Sequence, residues 1–558
     1  MKKIIYDHGQ IYTGRLPLAE AFVVEGDRFL GAGTAEEMKD LAGGEAERID
    51  LEGRFVCAGF NDSHMHLLNY GYILGKARLT EHTSSLEELL RYLREFEQEE
   101  DLQEGEWLSG WGWNQDYFRD ERRFPTRWDL DRVSTERPIC LTRACGHCCV
   151  VNSRALSLLG ITADTPDPEG GRFEREKGEP NGIIREQAVE YVISRIPKPS
   201  LAQLKMMMKK ALGRMNAYGI TSCQTDDFET FPIPYQQVIQ AYQELEESGE
   251  LTVRIYQQAQ LKEEKALEAF WEEGWSTGAG TLFYKMGPLK IMGDGSLGSR
   301  TAYLSRPYAD DEKVQGITLM SRKKLESLIT MAHGRGMQIA IHGIGDGMLD
   351  WILEGYEKAA KAEGRTDCRH GVVHCQITRP EQLERIARND LHVYAQTIFL
   401  DYDVRIVEDR VGKRLASTSY AFKTLLKKGV HVSNGSDCPV EEPDVMAGIQ
   451  CAVTRKRLDG TGDPFGGEEA MTVQEALDSY TSQGAYASFE EKEKGSIQAG
   501  MLADFVVLEN NPFTAPQGEL KGIQVLKTYV GGRCVYQKEK DGEKDKVERS
   551  YHERKREE

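Results

Sequence analysis

Two histidines, His64 and His66, stand one residue apart in CAGFNDSHMHLL, directly after an apolar run. If that run is a strand, side chains at i and i+2 point to one side, and both imidazoles can meet a single ion. An isolated H-x-H also recurs by accident, so partners elsewhere in the chain decide its meaning. The candidates are Lys290 in GPLKIMGDGSLGSRTA, His342 in IAIHGIGD, His374 in GVVHCQI and Asp437 in VHVSNGSDCPV. Singly, each fits a blander role: a satisfied core histidine, a capping aspartate or, for Lys290, a surface lysine or salt-bridge partner of Asp294. Together, four imidazoles and a carboxylate suit Zn²⁺ or a similar divalent cation, which takes N and O donors and in catalytic sites keeps a position open for water.

The elements that carry these residues alternate between apolar strand-like runs and helical stretches, the pattern of a parallel sheet. Candidate strands fall at 220–224, 251–257, 289–292, 338–341, 371–373, 392–396 and 430–433, and the run before His64 makes eight. Eight strands with intervening helices are the parts of a (β/α)₈ TIM barrel, whose active-site residues sit at the C-terminal strand ends. His64 and His66, Lys290, His342, His374 and Asp437 all arrive at such ends. Later strands recur every roughly 30 to 50 residues, close to the size of a β-α unit. The first two are much further apart, which predicts an insertion at about 71–198.

That insertion contains WLSGWGWNQDYF and RACGHCCVVNSRAL. It reads as a lid or side domain, because long additions to compact domains are usually functional or disordered and its aromatic content argues against disorder. Before the first strand, IIY, AFVVEGDRFLGAG and RIDLEGRFVCAG are short apolar runs broken by turn signals, with a hairpin at Gly26-Asp27. After Gly495, GSIQAGMLADFVVLENNPF and VLKTYVGGRCVYQ return to the same pattern, with Gly531-Gly532 as a second hairpin signal. The expected organisation is therefore a β-sandwich built from 1–57 and 495–537, a barrel over 58–494, and an unstructured charged tail over 538–558.

Bulk composition narrows the function. With 558 residues the chain exceeds one ordinary domain and fits a large barrel with additions. Its 71 Lys+Arg against 90 Asp+Glu give a formal charge of −19, which disfavours nucleic acid and anionic membranes as partners. The opening MKKIIYDHGQIYTGRL lacks a signal-peptide core, and no later run approaches a membrane span. Eleven cysteines in scattered, apolar contexts such as Cys57, Cys375 and Cys451 fit reduced thiols in the cytoplasm. Cys145 and Cys148 form one C-x-x-C with no second half, which argues against a structural zinc there.

The ordered series GFNDSHMH, LKIMGDGSLGSRTA, AIHGIGD, VVHCQ, GSDCPV and G-x-x-x-x-G-x-x-A-D-F-V-V-L resembles the amidohydrolase superfamily, in particular its YtcJ-like branch, which includes N-substituted formamide deformylases. Cys-Ala-Gly-Phe-Asn-Asp stands where Pro-Gly-Phe-Ile-Asp is frequent in the superfamily, and the two histidines are intact. The resemblance implies that His64 and His66 bind a more buried ion and His342 and His374 a more exposed one, that Asp437 contacts metal and attacking water, and that Lys290 is carbamylated. A carbamate turns an ammonium, a poor neighbour for Zn²⁺, into an anionic bridge between two cations. The activity implied is hydrolysis of a non-peptide C–N bond, such as an N-acyl or N-formyl amide, by a homodimer carrying two Zn²⁺ per chain.

Two other readings stay open at this level. A mononuclear cyclic amidine deaminase would place a Glu shortly after the strand-five histidine, where this chain has HGIGDGMLDW. A metal-binding regulatory protein without turnover would keep the barrel and its ligands. Asp346, four residues after His342, fits either orientation of an imidazole or capping of a helix. The glycine-rich DGSLGSRTA lacks the G-K-[ST] ending of a phosphate loop and reads as backbone approaching the site, with Arg300 as a substrate contact. From the insertion, Trp113 and His147 are the expected pocket-facing residues, although packing is the commoner role of tryptophan.

Overall fold

The computed structural model of the chain describes residues 2–100, 102, 105–364 and 367–538, so the charged-tail expectation lies, beyond 538, outside the described residues. Two compact units emerge, Met1–Asn69 with Ala211–Glu558, and Tyr70–Lys210.

The first unit contains an eight-stranded parallel sheet of Phe60–Met65 (β1), Ile220–Thr225 (β2), Arg254–Gln260 (β3), Tyr284–Met292 (β4), Ile339–Gly343 (β5), Gly371–His374 (β6), His392–Ala395 (β7) and Val432–Asn434 (β8), each paired with its sequence neighbour. Nearly every strand residue is buried, as expected of a parallel sheet covered on both faces. The sequence placed the third strand three residues early and cut the fourth short. Tyr284–Met292 runs through Gly287 and Pro288, where the β3–β4 ladder shifts register. Proline has no N–H to donate, so the strand bulges there and continues to Lys290.

The barrel nearly closes between β8 and β1. The Asp437 N–H donates to His64 O at 2.8 Å, and the His66 N–H to Cys438 O at 2.7 Å. The Asp62 carboxylate accepts from the backbone N–H and hydroxyl of Ser436 and from the His64 N–H. Gly435 is required in this seam, because a β-carbon there would lie 2.5 Å from the His64 nitrogen.

Both chain ends build the β part of this unit. Lys3–Asp7, Ala21–Glu25, Arg28–Gly33 and Glu47–Asp50 form one sheet. Gln10–Ile11 and Phe55–Ala58 join Phe505–Leu508, Val525–Val530 and Arg533–Gln537 in the other. Tyr6, Phe22, Phe29, Phe505 and Tyr529 fill its core, with Phe505 stacked on Tyr529 at 4.3 Å. Arg254, the first residue of β3, makes a buried bidentate pair with Asp504, at 2.7 and 3.0 Å.

The second unit is a six-stranded sheet with a core of its own. Leu86–Glu99, capped by Ser85, contributes Leu86, Leu89, Leu90 and Leu93 to that core on one helical face. No helix among the described residues is long and apolar enough to cross a membrane.

Candidate functional site

The C-terminal ends of β1, β4, β5, β6 and the loop after β8 bring their polar residues together. His64 Nε2 and His66 Nε2 each lie 3.2 Å from Asp437 Oδ1. Lys290 Nζ is 3.1 Å from His64 Nε2. The His64 and His374 rings are 5.6 Å apart, and those of His374 and His342 4.5 Å. The i, i+2 argument is modified here. β1 ends at Met65 and its ladder with β2 shifts register between Asp62 and Met65, so a bulge and the closing seam, rather than a regular strand, aim the two rings. His374, Cys375 and Asp437 have φ of 74°, 48° and 56°. Such left-handed conformations of non-glycine residues cost on the order of 1–3 kcal/mol and cluster at functional sites.

Each ring has one nitrogen occupied. The His64 Nδ1–H donates to Gln258 Oε1 at 3.1 Å, that of His66 to the Asp226 carbonyl at 2.9 Å, and that of His374 to Gln396 Oε1 at 2.7 Å. His342 uses Nε2, 3.2 Å from the Gly295 carbonyl and 3.5 Å from Asp294 Oδ1. With their protons on those nitrogens, the neutral His64, His342 and His374 rings carry a lone pair on the opposite one, whereas His66 Nε2 faces Asp437 and is free only once its proton leaves. His374 Nε2 is buried with no hydrogen-bond partner, as a ligand atom reserved for a cation would be. His64, His66 and Asp437 each offer an atom within 4.8 Å of the others. Neutral imidazoles and a carboxylate thus fit a divalent cation.

Electrostatics agree with that fit. Burial, then the Lys290 charge, push His64 down to about 3 and His342 down to about 4, which keeps both neutral. His374 is held well below its ordinary value by burial and by His342. For His66 burial acts downward, but the hydrogen bond and charge of Asp437 outweigh it and raise the ring to about 9. Asp437 lies well below the usual carboxylate range: burial opposes ionisation, and the neighbouring His64 and His66 rings overcome it. Burial lowers Lys290, against the opposing charges of Asp226 and Asp437.

The remaining expected residues have surroundings of their own. Asp346 begins the helix Asp346–Glu363, and its carboxylate binds Ser305 and Arg379, so it does not orient His342. Asp294 stands beside His342 instead, accepting from the backbone N–H groups of Tyr303, Ile344 and Gly345, and is not the partner of Lys290. Trp113 is fully buried in the core of the second unit, its indole N–H donating to Leu141 O at 3.0 Å, so it packs rather than faces a pocket. His147 is exposed in that unit and pairs with Glu186. The Arg300 guanidinium is committed to Asp310, at 3.1 and 2.8 Å. Sequence reasoning missed Gln258, Gln396 and Asp226, and gave Asp294 to Lys290 where it stands beside His342. No local signal singles them out: Gln258 sits in the polar strand RIYQQAQ, Gln396 and Asp294 lie just past their strands, and Asp226 serves His66 through its main-chain carbonyl.

Comparison with known proteins agrees with this arrangement. A family model described as "Amidohydrolase family" matches residues 47–536. The chain is 33% identical over 544 residues to "Putative amidohydrolase YtcJ" of Bacillus subtilis, covering 96% of this chain and 100% of that protein. It is 27% identical over 551 residues to the "N-substituted formamide deformylase" of Arthrobacter pascens, covering 96% and 98%. The crystal structure of an uncharacterized metal-dependent hydrolase from Pyrococcus horikoshii superposes with a TM-score of 0.74 at 27% identity, over 93% of this chain and 99% of that one. A barrel mouth that gathers four histidines, a lysine and an aspartate, a family match across most of the length and an end-to-end relative agree, and the chain belongs to the amidohydrolase family.

Proposed function

We propose that this hydrolase cleaves a non-peptide C–N bond, of the N-acyl or N-formyl amide type, using two Zn²⁺ per chain with carbamylated Lys290 between them. The observation that carries this reading is the placement of Lys290, 1% exposed and 3.1 Å from His64 Nε2 among candidate ligands. An ammonium there would repel a cation. Burial shifts the amine toward its neutral form, which is the form that adds CO₂ and loses a proton to give an anionic carbamate. The Arthrobacter relative, named as a deformylase of N-substituted formamides, supports the bond type. The Pyrococcus structure, named as a metal-dependent hydrolase, supports the cofactor.

His64, His66, His342 and His374 would hold the ions, with Lys290 and Asp437 as anionic partners. The chemistry such ions would supply there is a lowered pKa for the attacking water and polarisation of the scissile carbonyl. Asp437 takes the proton of that water on its carboxylate and returns it to the leaving nitrogen, a positioned acid-base role. Phe399 packs against the His374 ring, with centroids 5.9 Å apart and planes at 17°. The reading extends to a cytoplasmic homodimer, in keeping with the family resemblance.

Elemental analysis of protein expressed with bicarbonate, wild type beside Lys290→Ala, is the test. Two metals per chain falling to one or none supports the bridged centre. A metal-loaded wild type then turns over N-formyl or N-acyl amines in a substrate panel. One metal in both proteins removes Lys290 from the site and favours a mononuclear deaminase. A loaded wild type inert across the panel favours a binding protein.

A further inference from the structure

We infer that Gln258 and Gln396 are positioning residues that set the tautomer of His64 and His374 and thereby keep both Nε2 lone pairs available to a cation. The inference rests on the metal-centre reading given above. An imidazole ligates through a nitrogen that carries no proton, so the proton must reside on the other one. At His64 and His374 that other nitrogen, Nδ1, meets the amide oxygen of a glutamine, at 3.1 and 2.7 Å.

A glutamine can present either an acceptor or a donor. With the oxygen toward Nδ1, the ring keeps Nδ1–H and Nε2 is free. With the N–H₂ turned toward Nδ1, the ring must accept there, the proton moves to Nε2, and ligation is blocked. Both glutamines stand in the first arrangement, although each leaves its own Nε2 buried without a hydrogen-bond partner. Gln258 is fully buried and Gln396 is 2% exposed, so solvent does not satisfy these amides. The arrangement that serves the imidazole persists at the expense of the glutamine, as expected of a group held for function rather than for its own bonding.

His66 needs no such device, because its Nδ1 meets the main-chain carbonyl of Asp226, which has no donor face. A glutamine also differs from a carboxylate in adding no charge beside Asp437. The two imidazoles remain neutral ligands, and glutamate in either place would make them more basic donors.

The test measures Zn²⁺ affinity of the full chain by competition with a chromophoric chelator, and the visible absorption of the Co²⁺-substituted protein. Gln258→Leu and Gln396→Leu are expected to bind Zn²⁺ about 10- to 100-fold more weakly and to shift the Co²⁺ bands. Gln258→Glu and Gln396→Glu, which restore an acceptor that cannot reverse, are expected to bind at least as tightly as wild type. Gln338→Leu is the control: Gln338 is fully buried and bonds Tyr256, Tyr394 and the carbonyls of Arg369 and Ala487, so its loss lowers thermal stability and leaves Zn²⁺ affinity unchanged.

Folded leucine variants with wild-type affinity and an unshifted Co²⁺ spectrum overturn the inference. So does a Gln338→Leu protein that loses affinity equally, since the effect would then be general loosening of the barrel. A wild type that binds no Zn²⁺, or whose binding survives His64→Ala, overturns the metal-centre reading itself, and this inference with it.

Discussion

Asp437 Oδ1 lies 3.2 Å from the Nε2 atoms of both His64 and His66, and its own backbone lies in the left-handed region. A negative charge thus stands where the candidate ligands converge, and the proton held on His66 answers it. Asp437→Asn keeps the shape and removes that charge. We expect kcat/KM to fall by about 10²- to 10⁴-fold, the range for a positioned proton-transfer group. In protein stripped with chelator, the same pair gives a pH signature. His66 is raised in the folded state, so its stabilising contribution is complete below the unfolded value of 6.5 and disappears as pH rises through about 9. His64 and His342 act with the opposite sign: their contribution is present above 6.5 and is lost as pH falls through about 3 and about 4. From these groups the thermal midpoint is highest near neutrality and declines on both sides. Asp437→Asn should flatten the alkaline decline while leaving the acid one, which melting curves followed by circular dichroism from acid to alkaline pH will show.

Strands are legible in the chain because each is a short apolar run between turn signals, and eight of them alternate with helices. Their ends are less so. Leu251 and Val253 are apolar enough to extend the third strand backwards, yet Arg254 begins it, because the ladder with β2 pairs Ser222 with Arg254. Local composition cannot express such a register, which is a relation between two segments. The same holds at the seam, where Gly435 reads as an ordinary turn residue but is required by the approach of His64. Gly435→Ala would place a methyl 2.5 Å from the His64 nitrogen and 2.8 Å from Asp62 Oδ1. The strand must move away, at a cost of about 1–3 kcal/mol as in other overpacked sites. Zn²⁺ affinity should fall with stability, because the seam also carries Asp437. Chemical denaturation and chelator competition on the same preparation measure both, and a variant with wild-type affinity would show that the seam does not position the site.

In the whole molecule, the first unit is held together by pairings between the two ends of the chain. Phe505 lies opposite Ala58, and Leu508 opposite Phe55, immediately before the chain enters β1. The Arg254–Asp504 pair joins this sheet to the start of β3, with both side chains at most 5% exposed. Breaking a buried pair by removing one partner leaves an uncompensated charge and costs about 3–5 kcal/mol. Asp504→Ala should show a loss of that size in urea unfolding. Where the variant remains folded, its Zn²⁺ affinity should stay near wild type, since Arg254 and the ligands stand at opposite ends of the strands.

The meeting of His64, His66, Lys290, His342, His374 and Asp437 at one place was readable from the chain alone, because each ends or follows a recognisable strand, and a parallel barrel delivers strand ends to one face. What stands behind each ring was not. Gln258 supports a histidine 194 positions away and Gln396 one 22 positions away. Asp294 rather than Asp346 lies beside His342, and Trp113 turns into a core instead of a pocket. A strand has a period that its own residues display. A hydrogen-bond partner across the barrel has none, and depends on register, bulges and closure that exist only once the strands are assembled.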